Sequence, residues 1–234
     1  MQAVILAGGK GTRLKPFTTN FPKPLVPLDD MPILEVVLRQ LKYFGFQDIV
    51  LAVNHLSEII MAFFKNGEKF GLNISYSVED KNLGTAGPLT LIEELDENFL
   101  VMNGDLLTTL NYKDLFDFHV NHGIDATIST YKKEIKIDLG VLETEKGDFK
   151  RYIEKPTYYF DVSMGIYMFN KHIVQHIPQE SQVDMPELIR TLHSLQKKIH
   201  CYSGDYYWLD IGRVDDYEQA VDVFKTRRKE FLLA

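Results

Sequence analysis

The apolar run at residues 2–7 gives way, without a spacer, to Gly8-Gly9-Lys10-Gly11-Thr12-Arg13-Leu14. A short apolar segment ended by glycine reads as a buried strand. Glycine at three of four positions lets backbone N–H groups turn inward and meet an anion with no Cβ in the way. Lys10, Arg13, Lys15 and Lys23 then place four cations ahead of the first acidic residue, Asp29, in a chain whose net charge is −7. An acidic protein that keeps bare positive charge beside a glycine loop is arranged to receive a small polyanion there, and phosphate is the leading candidate.

The pattern beyond the loop alternates strand and helix to about residue 105. Pro32 opens a helix with Ile33, Val36, Val37, Leu41 and Phe44 on one stripe, and Gly45 stops it. Residues 48–53 return to strand. Residues 56–65 read as a helix with Ile59, Ile60, Phe63 and Phe64 inward, 72–78 as a strand, 85–95 as a helix and 99–102 as a strand. Such alternation predicts an α/β fold, a Rossmann-like, mainly parallel sheet with helices on both faces. Ligands bind such sheets beyond the carboxyl ends of the strands, where both the glycine loop and Asp105 would sit. Further on, 141–144 and 149–154 form a hairpin, 162–169 a strand, 185–195 and 214–229 helices, and 200–209 a strand interrupted at Gly204-Asp205. No linker or composition shift divides the chain. One domain over 1–234 is expected, with a nucleotide-binding half at 1–110 and a half at 111–234 that closes the site.

Composition narrows the partners. The negative net charge argues against non-specific adhesion to nucleic acid or anionic membranes, so small-molecule substrates are expected, with no nucleic acid and no membrane. A single cysteine, Cys201, excludes an internal disulfide and fits a reducing, cytoplasmic location. The start of the chain lacks the basic region of a signal peptide. The seven histidines show no metal-ligand spacing, His119 and His122 are expected to be solvated near a helix end, and residues 225–230 (KTRRKE) to form a solvated helix face. Self-association is left open.

Several motifs invite chemistry. The loop fails the dinucleotide fingerprint, because Leu14 stands where its third glycine or alanine belongs, and it is no P-loop. Lys23 lies between Pro22 and Pro24, and a pre-proline residue is pushed toward extended backbone, which would aim its amine at one point. Asp105, after a strand at Asn103-Gly104, and Asp210, after Tyr206-Tyr207-Trp208-Leu209, are each readable as turn residues or as carboxylates on one sheet edge. Magnesium takes few protein carboxylates and fills its shell with phosphate and water oxygens, which two such aspartates would suit.

The residues 6–14, LAGGKGTRL, followed by Phe21-Pro22-Lys23-Pro24-Leu25, resemble the two-part signature of the sugar-1-phosphate nucleotidyltransferases, and the likeness runs over essentially the whole chain. The resemblance implies the nucleotide-diphospho-sugar transferase (GT-A-like) fold and Mg2+ as cofactor. It implies nucleotide contacts from Leu6, Ala7, Gly8, Gly9, Gly11, Thr12, Arg13, Lys23, Glu79, Gly84, Thr85 and Asp105, with Lys23 and Arg13 catalytic. It implies that residues 111–234 form a sugar-phosphate-binding half, with sugar-phosphate contacts from Asn103, Gly140, Glu154, Lys155 and Gly165, and metal ligation by Asp105 and Asp210.

Residues 83–88, LGTAGP, are similar to the base-recognition segment of mannose-1-phosphate guanylyltransferases, which points to GTP and leaves uridylyl and thymidylyl transfer open. Ser163-Met164-Gly165 and Leu139 depart from the guanylyltransferase pattern, so mannose, a heptose, an amino sugar and glucose all stay open. Longer relatives append a β-helix, and no corresponding segment is expected here. A nucleotide sensor on the same fold is the reading from another class; it would be expected to lose the lysines or aspartates that this chain keeps.

Overall fold

The computed structural model describes residues 1–233. β1 (Gln2–Leu6) forms as expected, and the pair β2 (Pro27–Leu28) and β3 (Met31–Pro32) leads into α1 (Ile33–Tyr43). β4 (Asp48–Val53), α2 (Ser57–Phe64), β5 (Asn73–Val78), β6 (Asn98–Asn103) and β7 (Leu106–Thr108) follow. α3 (Tyr112–Asn121) starts at Asn111, whose side-chain oxygen accepts the N–H groups of Lys113 and Asp114. Next come β8 (Ala126–Lys136), the hairpin β9 (Val141–Glu145) and β10 (Asp148–Ile153), and the long β11 (Thr157–Asn170). The chain closes with α4 (Met185–Ser194), β12 (Ile199–Ser203), β13 (Trp208–Asp210) and α5 (Val214–Leu232).

Seven strands form one sheet in the order β12-β8-β11-β6-β1-β4-β5. Neighbours from β6 to β5 run parallel, as do β8 and β12, and only β11 runs antiparallel to its neighbours. Side-chain alternation then splits β1 between two cores. Ala3 and Ile5 join Leu34, Leu38, Ile60, Phe64 and Leu115 from α1, α2 and α3, while Val4 joins Phe99, Phe169, Leu188 and Leu192 on the side of α4. A third cluster packs Leu14, Leu28, Ile33, Leu107 and Ile211 against Phe224 and Phe231 of α5.

Four expectations are corrected here. Residues 85–95 form no α-helix, only a short 3-10 turn at Gly87–Leu91. Pro88 has no N–H to give, and the N–H groups of Ala86 and Gly87 go instead to the Val183 carbonyl. On α2 only Ile60 and Phe64 face the core; Ile59 and Phe63 are exposed, because eight residues turn one i, i+4 stripe inward and leave its neighbour out. His119 is fully buried, with Nδ1 2.8 Å from the Thr127 hydroxyl, whereas His122 is exposed as expected. Residues 225–230 are not uniformly solvated: Arg227 lies over the Tyr207 and Phe231 rings, and Arg228 forms a two-pronged pair with Asp30. Among the described residues, no helix is long and apolar enough to cross a membrane.

Candidate active site

The carboxyl ends of β1, β4 and β6 open onto a cavity of about 660 Å³. Its wall takes up thirteen of the residues picked out in the sequence: Leu6, Ala7, Gly8, Gly9, Gly11, Thr12, Arg13, Lys23, Glu79, Gly84, Thr85, Asn103 and Asp105. The loop is shaped by what surrounds it. Gly11 sits at φ 59°, a left-handed conformation suited to glycine, and its carbonyl accepts from Leu14 N–H at 2.9 Å and from the Thr18 hydroxyl at 2.6 Å. A Cβ on Gly8 would come within 3.1 Å of Asn54 Cβ and 3.3 Å of Glu79 Oε1, so this stretch of backbone runs close beneath both side chains. Leu14, fully buried in the third cluster, anchors the far end.

Lys23 is buried and its amine pairs with Asp105 Oδ2. Its backbone is not extended, contrary to expectation. Lys23 opens a 3-10 turn in which Leu25 N–H reaches the Pro22 carbonyl and Val26 N–H reaches that of Lys23. Those two bonds override the local pre-proline preference, and Pro24 falls in the first turn, where an N–H would lack a helical partner anyway. Only Pro22 keeps the extended geometry.

Asp105 and Asp210, 105 positions apart, are brought together by two short strands. β13 pairs antiparallel with β7, placing Asp210 opposite Leu106, and Ile211 N–H donates to the Asp105 carbonyl. Burial raises the Asp210 carboxyl above its ordinary range, and the Asp105 charge adds to that, against the pull of Lys23 and Arg13. Beside it, a Cβ on Gly212 would stand 3.5 Å from Asp210 Oδ2 and 3.6 Å from the Arg13 guanidinium carbon. Asp105 Oδ1 is buried with no hydrogen-bond partner. Two converging carboxylates, one with an orphaned oxygen, fit a hard divalent cation that completes its shell with phosphate and water. Among the described residues, no group of three or more histidine, cysteine or acidic side chains is placed to hold a metal.

The residues expected to meet the sugar phosphate separate. Gly165, at φ 72°, lies in a bulge where β11 slips its register against β8 between Ser163 and Tyr167. A Cβ there would fall 2.6 Å from the Asn103 amide nitrogen, so Gly165 and Asn103 are in contact. Gly140 lies against the Tyr152 ring instead, and Glu154 and Lys155 are exposed between β10 and β11, off the cavity wall. Lys155 has φ 43°, a left-handed conformation that is rare and strained for a residue other than glycine.

Asn54, Gln182 and Asp184 also line the cavity and were missed in the sequence. The signal for Asn54 was present, since it follows β4 at the carboxyl edge. Asp184 holds the position before the first turn of α4, yet its carboxylate makes no cap bond and turns to Thr85. Glu79, buried beside Gly8, holds Leu83 N–H through Oε2, and burial raises its carboxyl above the ordinary range.

Comparison with known proteins accords with this geometry. The chain is 35% identical to a UTP–glucose-1-phosphate uridylyltransferase of Synechocystis sp., over 94% of this chain and 62% of that one. It is 34% identical to the mannose-1-phosphate guanyltransferase of Candida albicans, over 97% and 65%. It is 32% identical to a mannose-1-phosphate guanylyltransferase catalytic subunit beta of Dictyostelium discoideum, over 99% and 68%. The chain thus spans about two thirds or less of the length of these curated relatives. Among solved structures, HddC from Yersinia pseudotuberculosis complexed with GMP-PN superimposes with a TM-score of 0.73 at 26% identity, over 95% of this chain and 99% of that one. This likeness agrees with the expected nucleotide-diphospho-sugar transferase fold. The profile of the family described as "Nucleotidyl transferase" matches residues 2–226, and the chain belongs to that family.

Proposed function

We propose that the protein is a sugar-1-phosphate nucleotidyltransferase that makes an NDP-sugar and pyrophosphate from an NTP and a sugar 1-phosphate. The observation that carries this reading is the junction of the glycine loop with Lys23, Asp105, Asp210 and Arg13 at one sheet edge. In the reaction, an oxygen of the sugar phosphate attacks the α-phosphorus. A new P–O bond forms there, the α–β bridge breaks, and pyrophosphate leaves with the electron pair. No covalent enzyme intermediate is needed, so catalysis consists of positioning and charge stabilisation. Loop N–H groups and Arg13 hold the departing phosphates. Lys23, aimed by its pairing with Asp105, neutralises charge at the α-phosphate. Asn103 and Gly165, in contact with each other, are assigned to the sugar-phosphate side; Gly140, Glu154 and Lys155 stay assigned to it by family resemblance alone, since they stand off the cavity wall. Magnesium, held by Asp105 and Asp210, would supply further charge neutralisation.

GTP is the proposed nucleotide and mannose 1-phosphate, or a related hexose or heptose 1-phosphate, the proposed acceptor. Support comes from residues 83–88 and from the guanyltransferases among the relatives. Uridylyl transfer to glucose 1-phosphate is the second reading, favoured by the Synechocystis relative at 35% identity. Pyrophosphate release with Mg2+, crossing five NTPs with a panel of sugar 1-phosphates, tests both. Release that needs one NTP and one sugar phosphate together is expected. Lys23→Ala and Asp210→Asn should each lower kcat by at least about 100-fold, in line with lost transition-state donors. Nucleotide binding without release from any pair would refute the enzyme and favour a sensor.

A further inference from the structure

Asp184 carries a feature that its place before α4 does not explain. Its Oδ1 accepts the Thr85 N–H at 3.1 Å and the Thr85 hydroxyl at 3.4 Å, while the Thr85 oxygen accepts Met185 N–H at 2.7 Å. Next to it, Val183 N–H donates to the Leu83 carbonyl at 2.9 Å, and the Val183 carbonyl accepts from Ala86 and Gly87. The segment before α4 is therefore laced to residues 83–87. Gly84, at φ 79°, passes so close that a Cβ would fall 2.5 Å from the Val183 oxygen. All the loop contacts of the Asp184 carboxylate fall on one oxygen, and the side chain lines the cavity. Oδ2 takes part in neither contact.

An ionised carboxylate only accepts hydrogen bonds, and it repels phosphate. Its partner on a bound NTP or sugar phosphate is therefore an uncharged N–H or O–H donor away from the phosphates. We propose that Asp184 is a specificity-determining residue whose Oδ2 accepts a hydrogen bond from the bound substrate, from an N–H of the base or an O–H of the sugar. This rests on the nucleotidyltransferase reading above and adds to it a residue that chooses between substrates. Guanine presents adjacent N1–H and N2–H2 donors, whereas uracil and thymine present one N–H flanked by two carbonyls, which an acceptor disfavours. A sugar offers its hydroxyls to the same acceptor, and their orientation at each carbon differs between hexoses.

Asp184→Asn tests this, because the amide oxygen keeps the Thr85 contact while an NH2 donor replaces the acceptor facing the cavity. Isothermal titration of wild type and variant with Mg2+ would use GTP and UTP. Mannose 1-phosphate and glucose 1-phosphate would be titrated in the presence of the α,β-methylene analogue of GTP. A loss of about tenfold or more on one arm only is expected, the weight of one hydrogen bond to a charged acceptor. GTP weakened with UTP unmoved places the donor on the base. One sugar phosphate weakened with both nucleotides unmoved places it on the sugar. Affinities all within twofold of wild type would overturn the assignment, and so would an equal loss for every ligand, which marks a displaced loop. Binding is read without turnover, so a wild type that binds but releases no pyrophosphate sinks the catalytic reading and still leaves this proposal tested. An unchanged melting temperature confirms that the variant folds.

Discussion

Lys23 and His119 are both ionisable side chains taken out of water, and their surroundings differ. Lys23 has a carboxylate partner in Asp105, which compensates the cost of burying an ammonium. His119 has only the Thr127 hydroxyl on Nδ1, and its Nε2 is buried without a partner. Burial therefore pushes its pKa down to about 4, against the opposing pull of Asp125. The unfolded chain protonates this histidine near its ordinary value of about 6.5, while the folded protein keeps it neutral. From pH 6.5 down to 4 the unfolded state binds the extra proton, so stability falls as pH falls, by up to about 3 kcal/mol across that window. Urea midpoints from pH 7.5 to 4.5 should show this slope, and His119→Gln should flatten it. An unaltered slope would place the acid sensitivity on other groups.

At the scale of elements, the site depends on interruptions more than on regular structure. The 3-10 turn at Lys23, the laced segment 83–87 and the bulge at Gly165 each break a pattern, and each presents backbone or a small residue to the cavity or its neighbours. Gly165→Ala probes the bulge. Its φ of 72° costs a residue with a Cβ roughly 1–2 kcal/mol, and the new methyl would displace the Asn103 amide. The KM for the sugar phosphate should rise by about tenfold or more, with that for the NTP changed far less. Equal shifts in both would show that the bulge supports the whole cavity rather than the sugar side.

At the scale of the molecule, α5 ties the glycine loop to Asp105 and Asp210. Phe224 and Phe231 pack in one cluster with Leu14, which ends the glycine loop, with Leu107, two residues after Asp105, and with Ile211, next to Asp210. Phe224→Ala should cost about 3–5 kcal/mol of stability, as for other buried aromatic truncations. It should also lower kcat at temperatures where the protein remains folded, since the loop and Asp210 share the loosened support. Wild-type kcat with only the stability lost would confine α5 to a structural role.

The strands β1, β4 and β6, the helix α1 and the glycine loop were all legible in the chain, because each is written in local spacing: an apolar period, a glycine stop, a proline start. The same local rules misread residues 85–95, Ile59, Phe63 and His119. For those, the outcome depends on hydrogen-bond partners or apolar surface supplied from elsewhere, such as the Val183 carbonyl nearly a hundred positions away. The meeting of Asp105 with Asp210 and the turn of Asp184 toward Thr85 belong to the same class. By itself the sequence determined that a strand delivers a glycine loop to the edge of an α/β sheet. Tertiary structure alone decided which distant carboxylates face that loop, because strand pairing and loop lacing are non-local bonds that no residue spacing encodes.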